Sequence, residues 1–405
     1  MVIMIVKFKI KDILQYFLVI LVILSGETIW EKIPNEVARE RFTLFIYGGG
    51  ALILTFLLFV GNKRIKRANY RSAIVWGIYF ILLLFVNMLI YKVNTALLFS
   101  IPTLLLMVYI FFNLEEITCI MDKFYNIVFI IAASSLIIYI LYIVLNIIVP
   151  PASFPFLRNN WVQYAPSFYL FFYPQGIRNC AFFYEAPKFN VILSLALAYS
   201  CYIKKEFLTL RNIVILATVV SAQSVTGVLI VLFIFLSKIL FKNDKFGSKD
   251  NNLLIIIFPA ILTMIAIFAS DIFLDKINSA SGSERLLDYL IGFKAWLKAP
   301  IFGVGIGNNT TIESAAAELG RTSLGFSNGL FRILVQGGIY LFILLIFPLI
   351  RFIRAGIKHG RPYLIFYCFV FLFLVITTSF SNTLVYSLVV SGMLGYVQLL
   401  KIKNN

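Results

Sequence analysis

Twelve long apolar runs, spaced along nearly the whole chain, decide what this sequence can fold into. They fall at approximately 13–29, 42–61, 72–90, 95–112, 127–149, 188–203, 212–223, 226–241, 252–273, 328–350, 362–380 and 383–400. Most approach the roughly 20 residues that an α-helix needs to cross a bilayer. Of the 405 residues, 61% are hydrophobic and only 13% charged. A soluble domain is nearer half apolar and a quarter charged. A transmembrane β-barrel would show short alternating segments instead. The expected fold is therefore an all-α, polytopic membrane protein of about twelve transmembrane helices, forming a single domain over residues 1–405.

The formal net charge of +17 does not indicate nucleic acid. The basic residues punctuate the ends of the apolar runs, where they orient the chain in the membrane. Lys7, Lys9 and Lys11 precede the first run, which puts the N-terminus inside. That run is read as a retained helix, not a signal peptide, because Ser25–Gly26 is a poor cleavage site. Arg351, Arg354, Lys358 and Arg361, then Lys401 and Lys403, mark later inner segments. Both termini are expected on the inner side. Cys119, Cys180, Cys201 and Cys368 lack metal-ligand spacing, so neither a metal nor an internal disulfide is expected.

The seventh and eighth runs need separate argument. Lys204, Lys205 and Arg211 precede them, and Lys238, Lys242, Lys245 and Lys249 follow. Both flanks look inner, so the chain should cross twice and reverse within Ser221–Gly227, SAQSVTG. Each half is short, so the reversal should lie below the outer surface. Irregular backbone at that depth must be buried in protein or line a wet cavity. Two long outer loops then remain, at about 150–187 and 274–328.

The first loop is rich in proline and aromatic residues, Trp161 among them, as suits a headgroup-level belt. It also holds Arg178, and Glu185 just before the sixth helix. Ionisable groups at such a position are functional candidates, although Glu185 could merely face a helix N-terminus. In the second loop, SERLLDYLIGFKAWLKAPIFGVGIGN spans 283–308. Ser283 is a plausible N-cap. Leu286, Leu287, Leu290, Phe293, Trp296 and Leu297 recur at helical spacing, with Arg285, Asp288 and Gly292 on another face. This reads as a helix lying on the membrane or on the bundle. Gly303, Gly305 and Gly307 follow Pro300. With no preceding strand they are not a dinucleotide fingerprint, and close backbone approach is their expected use. Arg321, Asn328, Arg332 and Gln336 come next, with Arg332 facing either a cleft or the interface. Arginine's planar fork suits phosphate oxygens. Several arginines beside carboxylates at a membrane surface suggest a lipid-phosphate ligand and a general base.

Four pieces, in order, carry a resemblance: RNCAFFYEAPKFN at 178–190, SVTG at 224–227, R-x7-F-K-A-W-x2-A-P-x-F-G-V-G-I-G-N at 285–308, and SNGLFRILVQGGI at 327–339. Over about its C-terminal 60% the chain resembles the bacterial O-antigen polymerase and ligase superfamily, the Wzy and WaaL type. The resemblance implies a metal-independent, cofactor-free glycosyltransferase with a GT-C-like membrane fold and two long periplasmic loops. It implies the inner membrane, with the active face periplasmic. Its substrates would be oligosaccharides linked to undecaprenyl pyrophosphate, met among membrane lipids, and a Wzz-type chain-length regulator would be a candidate partner. By the same resemblance Arg178 and Arg285 would hold pyrophosphate, Arg321 is a weaker match, and Glu185 or Asp288 would act as base. Arg332 joins them as a further candidate for pyrophosphate, and Asn328, Gly303 and Gly305 as loop candidates. Ligases carry a histidine in an H-N string where this chain has Ser327–Asn328, which favours a polymerase. A lipid-linked oligosaccharide flippase is the alternative outside this class, although no inverted repeat is visible.

Overall fold

The computed structural model describes residues 2–60, 67–92, 95–158, 161–240, 280–321 and 325–403. The structure is 73% helical. Among the described residues, six helices are long and apolar enough to cross a membrane, and four shorter apolar helices accompany them. This is the architecture of a polytopic membrane protein, in which each helix satisfies its own backbone polar groups.

Helices α1 (Val2–Leu24), α2 (Glu36–Val60), α3 (Arg67–Phe85), α4 (Thr95–Phe112) and α5 (Glu116–Tyr139) make the first half. Next come α6 (Ala186–Ala198), α7 (Leu210–Ser221) and α8 (Val225–Leu240). After them follow α9 (Ala280–Leu297), α10 (Thr310–Glu318), α11 (Gly329–Lys358), α12 (Pro362–Thr377) and α13 (Leu384–Lys403). Eleven of the twelve apolar runs coincide with helices; the run at 252–273 lies outside the described residues. One continuous apolar core joins α1 to α8 and α11 to α13, with Phe80, Phe124, Phe189, Phe371 and Tyr386 fully enclosed.

Side-chain contacts fix the direction of α7 and α8. Tyr125 of α5 donates to Asn212 at the start of α7 (2.8 Å), and Thr218 later in α7 reaches Ala132 of α5 (3.3 Å). The two helices are therefore parallel. Asn190 of α6 lies against Gly227 at the start of α8, and Tyr202, just past α6, meets Ser237 near its end (2.7 Å). So α8 runs parallel to α6 and back against α7. The pair is a hairpin, reversing at Ala222–Ser224 with Gln223 at φ 48°.

The all-α expectation fails between α5 and α6. Strands β1 (Ala152–Arg158), β2 (Trp161–Phe168) and β3 (Phe171–Phe172) form an antiparallel sheet in the order β1-β2-β3. Phe156 pairs with Gln163 and Phe154 with Ala165. Phe156, Ala165, Phe168 and Phe172 turn inward, while Trp161, Val162 and Tyr164 are exposed. Exposure changes along β2 and does not alternate: 161–164 are exposed, and the packed residues come from 165 on. The segment after α1 docks beneath this sheet: Thr28 bridges Phe183, and Ile29 N–H donates to Phe182 (3.0 Å). At the opposite end of the bundle, Lys123 of α5 pairs with Asp12 of α1 (2.6 Å).

Candidate functional site

The N-terminus of α6 is built without help from the Glu185 side chain. Glu185 occupies the N-cap in extended conformation, φ −142° and ψ 147°, yet makes no side-chain cap. Pro187 in the first turn presets helical backbone. The free Ala186 N–H donates instead to Gln175 Oε1 (3.1 Å), which also accepts from Arg178 Nη1 (3.2 Å). The other Arg178 nitrogen donates to the Gln223 carbonyl in the α7–α8 turn. Asn179 ties the same turn down through Ser221, backbone to backbone at 3.1 Å and side chain to side chain at 3.0 Å. Thus Arg178 and Glu185 share one corner, and the half-buried Glu185 carboxylate accepts no hydrogen bond among the described residues.

One turn further along α6 lies a buried charge contact that pattern reading had not singled out. Lys188 is buried; its Nζ sits 2.8 Å from Glu27 Oε2 and also donates to the Ser379 carbonyl. Glu27 follows α1 with left-handed backbone, φ 62°. Burial pushes its carboxyl upward, but Lys188, Arg332 and Lys32 outweigh that, and its pKa ends below the usual value. Glu31, one turn on, goes the other way. Burial, and then the charge of Glu27, push its carboxyl up to about 8. Lys32 closes the corner above the Tyr184 ring, 5.1 Å from its centre. Neighbouring carboxyls driven apart in this manner are a feature of acid–base sites.

Arg332 stands in the first turns of α11, half-buried, with Nη2 3.4 Å from the Phe326 carbonyl and Nε enclosed without a partner among the described residues. Glu27 and Asp288 are its electrostatic neighbours. Asp288 is 2% exposed. Arg321 pairs with one of its oxygens, and Ser327 donates to the other through N–H (2.9 Å) and hydroxyl (2.7 Å). This carboxylate is thereby occupied in holding Arg321 and Ser327 in place. Asn328 caps α11, accepting from Phe331 N–H at 3.1 Å. The side chain of Arg285 lies outside the described residues; only its place in α9 is on view.

Of the two placements open to helix α9, the exposed stripe fits the one on the membrane. Asp288, Ile291 and Ala295 are buried, whereas Leu290, Phe293 and Leu297 of the apolar stripe are exposed. The polar-looking face packs against α10 and α11, and the greasy face looks outward.

The glycine turn approaches another backbone. At Gly338 (φ 59°, ψ −160°) helix α11 is broken. Residues 300–305 fit into the break: Val304 and Gly305 donate to Val335 and Gln336 (2.9 and 3.0 Å), while Ile339 and Tyr340 donate to Pro300 and Ile301 (2.9 and 3.0 Å). A Cβ on Gly303 would meet Gln336 at 2.4 Å, and one on Gly338 would meet Ile301 at 2.3 Å. Gln336, held in place there, bridges Asn309 (3.0 Å) and Asn382 (2.6 Å).

Arg178, Glu185, Asp288, Arg321, Asn328 and Arg332 therefore gather at one end of the bundle, joined through Glu27 and Lys188. Several buried polar atoms there have no partner among the described residues: Glu31 Oε1, Asn328 Nδ2, Ser379 Oγ and both amide atoms of Asn190. Buried polar groups are ordinarily satisfied, so their concentration marks a place for water or a ligand. Glu27 and Glu31 escaped notice because the segment between the first two helices is short and has no motif. The one available signal was two carboxylates, four residues apart, at the end of the first apolar run. Beside Trp30 and Phe182 opens an apolar cavity of about 420 Å³, walled by Ile20, Ile23, Phe42 and Ile127. Compared with known proteins, the chain matches no family model, no curated protein and no solved structure.

Proposed function

We propose that this chain is a membrane-embedded glycosyltransferase that polymerises glycan repeat units carried on undecaprenyl pyrophosphate, with the sheet end facing the periplasm and both termini in the cytoplasm. The observation that carries the proposal is the adjacency of cations and grease. Arg178, Lys188, Lys32 and Arg332 collect at one end around Glu27, Glu31 and Glu185, beside the cavity under Trp30. That pairing suits an amphiphile with a diphosphate head and a hydrocarbon tail.

In the proposed reaction the acceptor sugar's hydroxyl oxygen attacks the anomeric carbon of the growing chain. The bond from that carbon to the pyrophosphate oxygen breaks, and its electron pair leaves with the lipid pyrophosphate. Arg178 and Arg332 stabilise this departing charge, each contributing a few kcal/mol on the scale of preorganised donors. The hydroxyl proton passes to Glu185. Asp288 and Arg321 position the α11 entry and do not contact the reacting atoms. In a deletion strain complemented with Arg178→Ala or Glu185→Gln at wild-type protein level, surface glycan should collapse to single repeat units. A normal ladder from either variant overturns the assignment.

A flippase remains the second reading because of two specific features, the half-length α7–α8 hairpin and the break in α11 at Gly338. Discontinuous helices are a transporter trait. The deletion phenotype separates the two. Loss of a polymerase leaves one repeat unit on the outside, and loss of a flippase leaves none.

A further inference from the structure

The end of the bundle away from the sheet carries a charged cavity. It measures about 630 Å³ and lies between the last turns of α11 and of α13. Arg351, Arg354 and Lys358 line it from α11 at i, i+3 and i+7, and so share one helix face. His359 and, from α13, Lys401 complete the polar wall. No carboxylate is among the described lining residues. Arg351 lies roughly 20 Å along the helix beyond the break at Gly338, at 1.5 Å per residue. This cavity is therefore separate from the site described above.

Orienting the chain explains basic residues here but not a cavity made of them. Elsewhere at this end three lysines have carboxylate partners: Lys123 pairs with Asp12 (2.6 Å), Lys204 with Asp122 (3.4 Å) and Lys11 with Glu116. Arg351, Arg354, Lys358 and Lys401 have no ion-pair partner among the described residues. Helix capping does not occupy them either. The last carbonyls of α11 accept from His359, Gly360 and Arg361 N–H groups at 3.1, 3.2 and 2.7 Å. Four like charges around one cavity repel each other unless an anion sits among them. Two arginine forks and two lysines supply the donors that a phosphate group takes.

We propose that this cavity binds a phosphate group, and that its two possible sources are the headgroup of an anionic membrane lipid or a soluble phosphate compound. Basic pockets between membrane helices favour such headgroups. The test uses the full chain, purified in neutral detergent and reconstituted into nanodiscs of phosphatidylcholine alone or with phosphatidylglycerol. Thermal unfolding is followed in each, and in the neutral discs with millimolar inorganic phosphate or pyrophosphate against chloride at equal ionic strength. Retained lipid is counted by native mass spectrometry. The Arg351→Gln/Arg354→Gln/Lys401→Gln variant is compared with Arg71→Gln, which removes an exposed charge outside the cavity. Stabilisation by phosphatidylglycerol that the triple variant loses and Arg71→Gln keeps supports the site and identifies a lipid headgroup. The same pattern with soluble phosphate supports it and identifies a free anion. If neither anion stabilises the wild type, or if the triple variant responds as the wild type does, the proposal is wrong. Should the triple variant fold poorly, Lys401→Gln alone must reduce the retained phosphatidylglycerol or weaken phosphate binding several-fold; unchanged binding overturns the site equally.

Discussion

Replacing Lys188 with methionine tests the buried charge cluster most directly. The substitution removes the cation 2.8 Å from Glu27 Oε2 and keeps most of the side-chain volume. At an effective dielectric constant of about 20, attraction at that distance is roughly 6 kcal/mol. Desolvating the two ions offsets much of that attraction. Breaking a buried pair from one side typically costs about 3–5 kcal/mol, because the other charge is left behind. Glu27 retains 23% side-chain exposure and keeps Arg332 and Lys32 as neighbours. The low end, about 3 kcal/mol, is therefore expected for Lys188→Met. The Glu27→Gln/Lys188→Met double variant removes both charges and should recover to within about 1 kcal/mol of wild type. Unfolding in detergent, monitored by the fluorescence of the four tryptophans, measures all three proteins. A Lys188→Met protein that melts with the wild type, or a double variant no more stable than the single one, would refute the pairing argument.

Two further predictions follow from geometry already given. Glu31 has its carboxyl raised to about 8 when folded, so the folded protein holds a proton that the unfolded chain releases near 4.5. Its contribution is full below about pH 4.5 and is lost as pH rises through 8, by at most about 1.4 kcal/mol per pH unit. Glu27, held low, acts in the opposite sense, and its contribution is lost in acid. Glu31→Gln should therefore flatten the decline in melting temperature between pH 5 and pH 9; parallel curves for the two proteins would show the assignment to be mistaken. Gly338→Ala forces alanine into φ 59° and puts its Cβ 2.3 Å from Ile301. About 2–4 kcal/mol of destabilisation is expected from left-handed strain and overpacking. Gly48→Ala, whose added carbon meets only Leu44 of its own helix at 3.7 Å, is the control and should melt with the wild type.

The helices were legible because membrane burial writes length and hydrophobicity directly into sequence. Even the α7–α8 reversal could be read, since lysines on both flanks permit only an even number of crossings. The sheet was not. Pro155 and Pro166 stand inside its two longer strands, where proline argues against a strand, and aromatic residues packing inward look the same in sequence as aromatic residues anchoring at an interface. The site was half legible. Arginines in loops stand out against an apolar chain, and Arg178, Arg321 and Arg332 do gather at one end. Lys188 opens the sixth apolar run, and Glu27 lies near the end of the first. Their meaning comes from a contact 161 residues apart in the chain, which no local pattern carries. The glycine turn was legible as a close approach, but its partner, the break at Gly338, was not, because a glycine inside a helical run usually continues the helix.

Helix α9 lies with its oily edge outward. Leu290, Phe293, Leu297, Ile301 and Phe302 form one exposed band, and water is a poor solvent for such a band. Its comfortable position is the boundary where headgroups meet acyl chains. The opposite edge of the same helix holds Asp288, and through Arg321 and Ser327 it sets the entry to α11. The level at which this band floats therefore fixes how high Arg332 stands in the membrane. A bilayer of different thickness would therefore leave the charged corner at the same height against that surface.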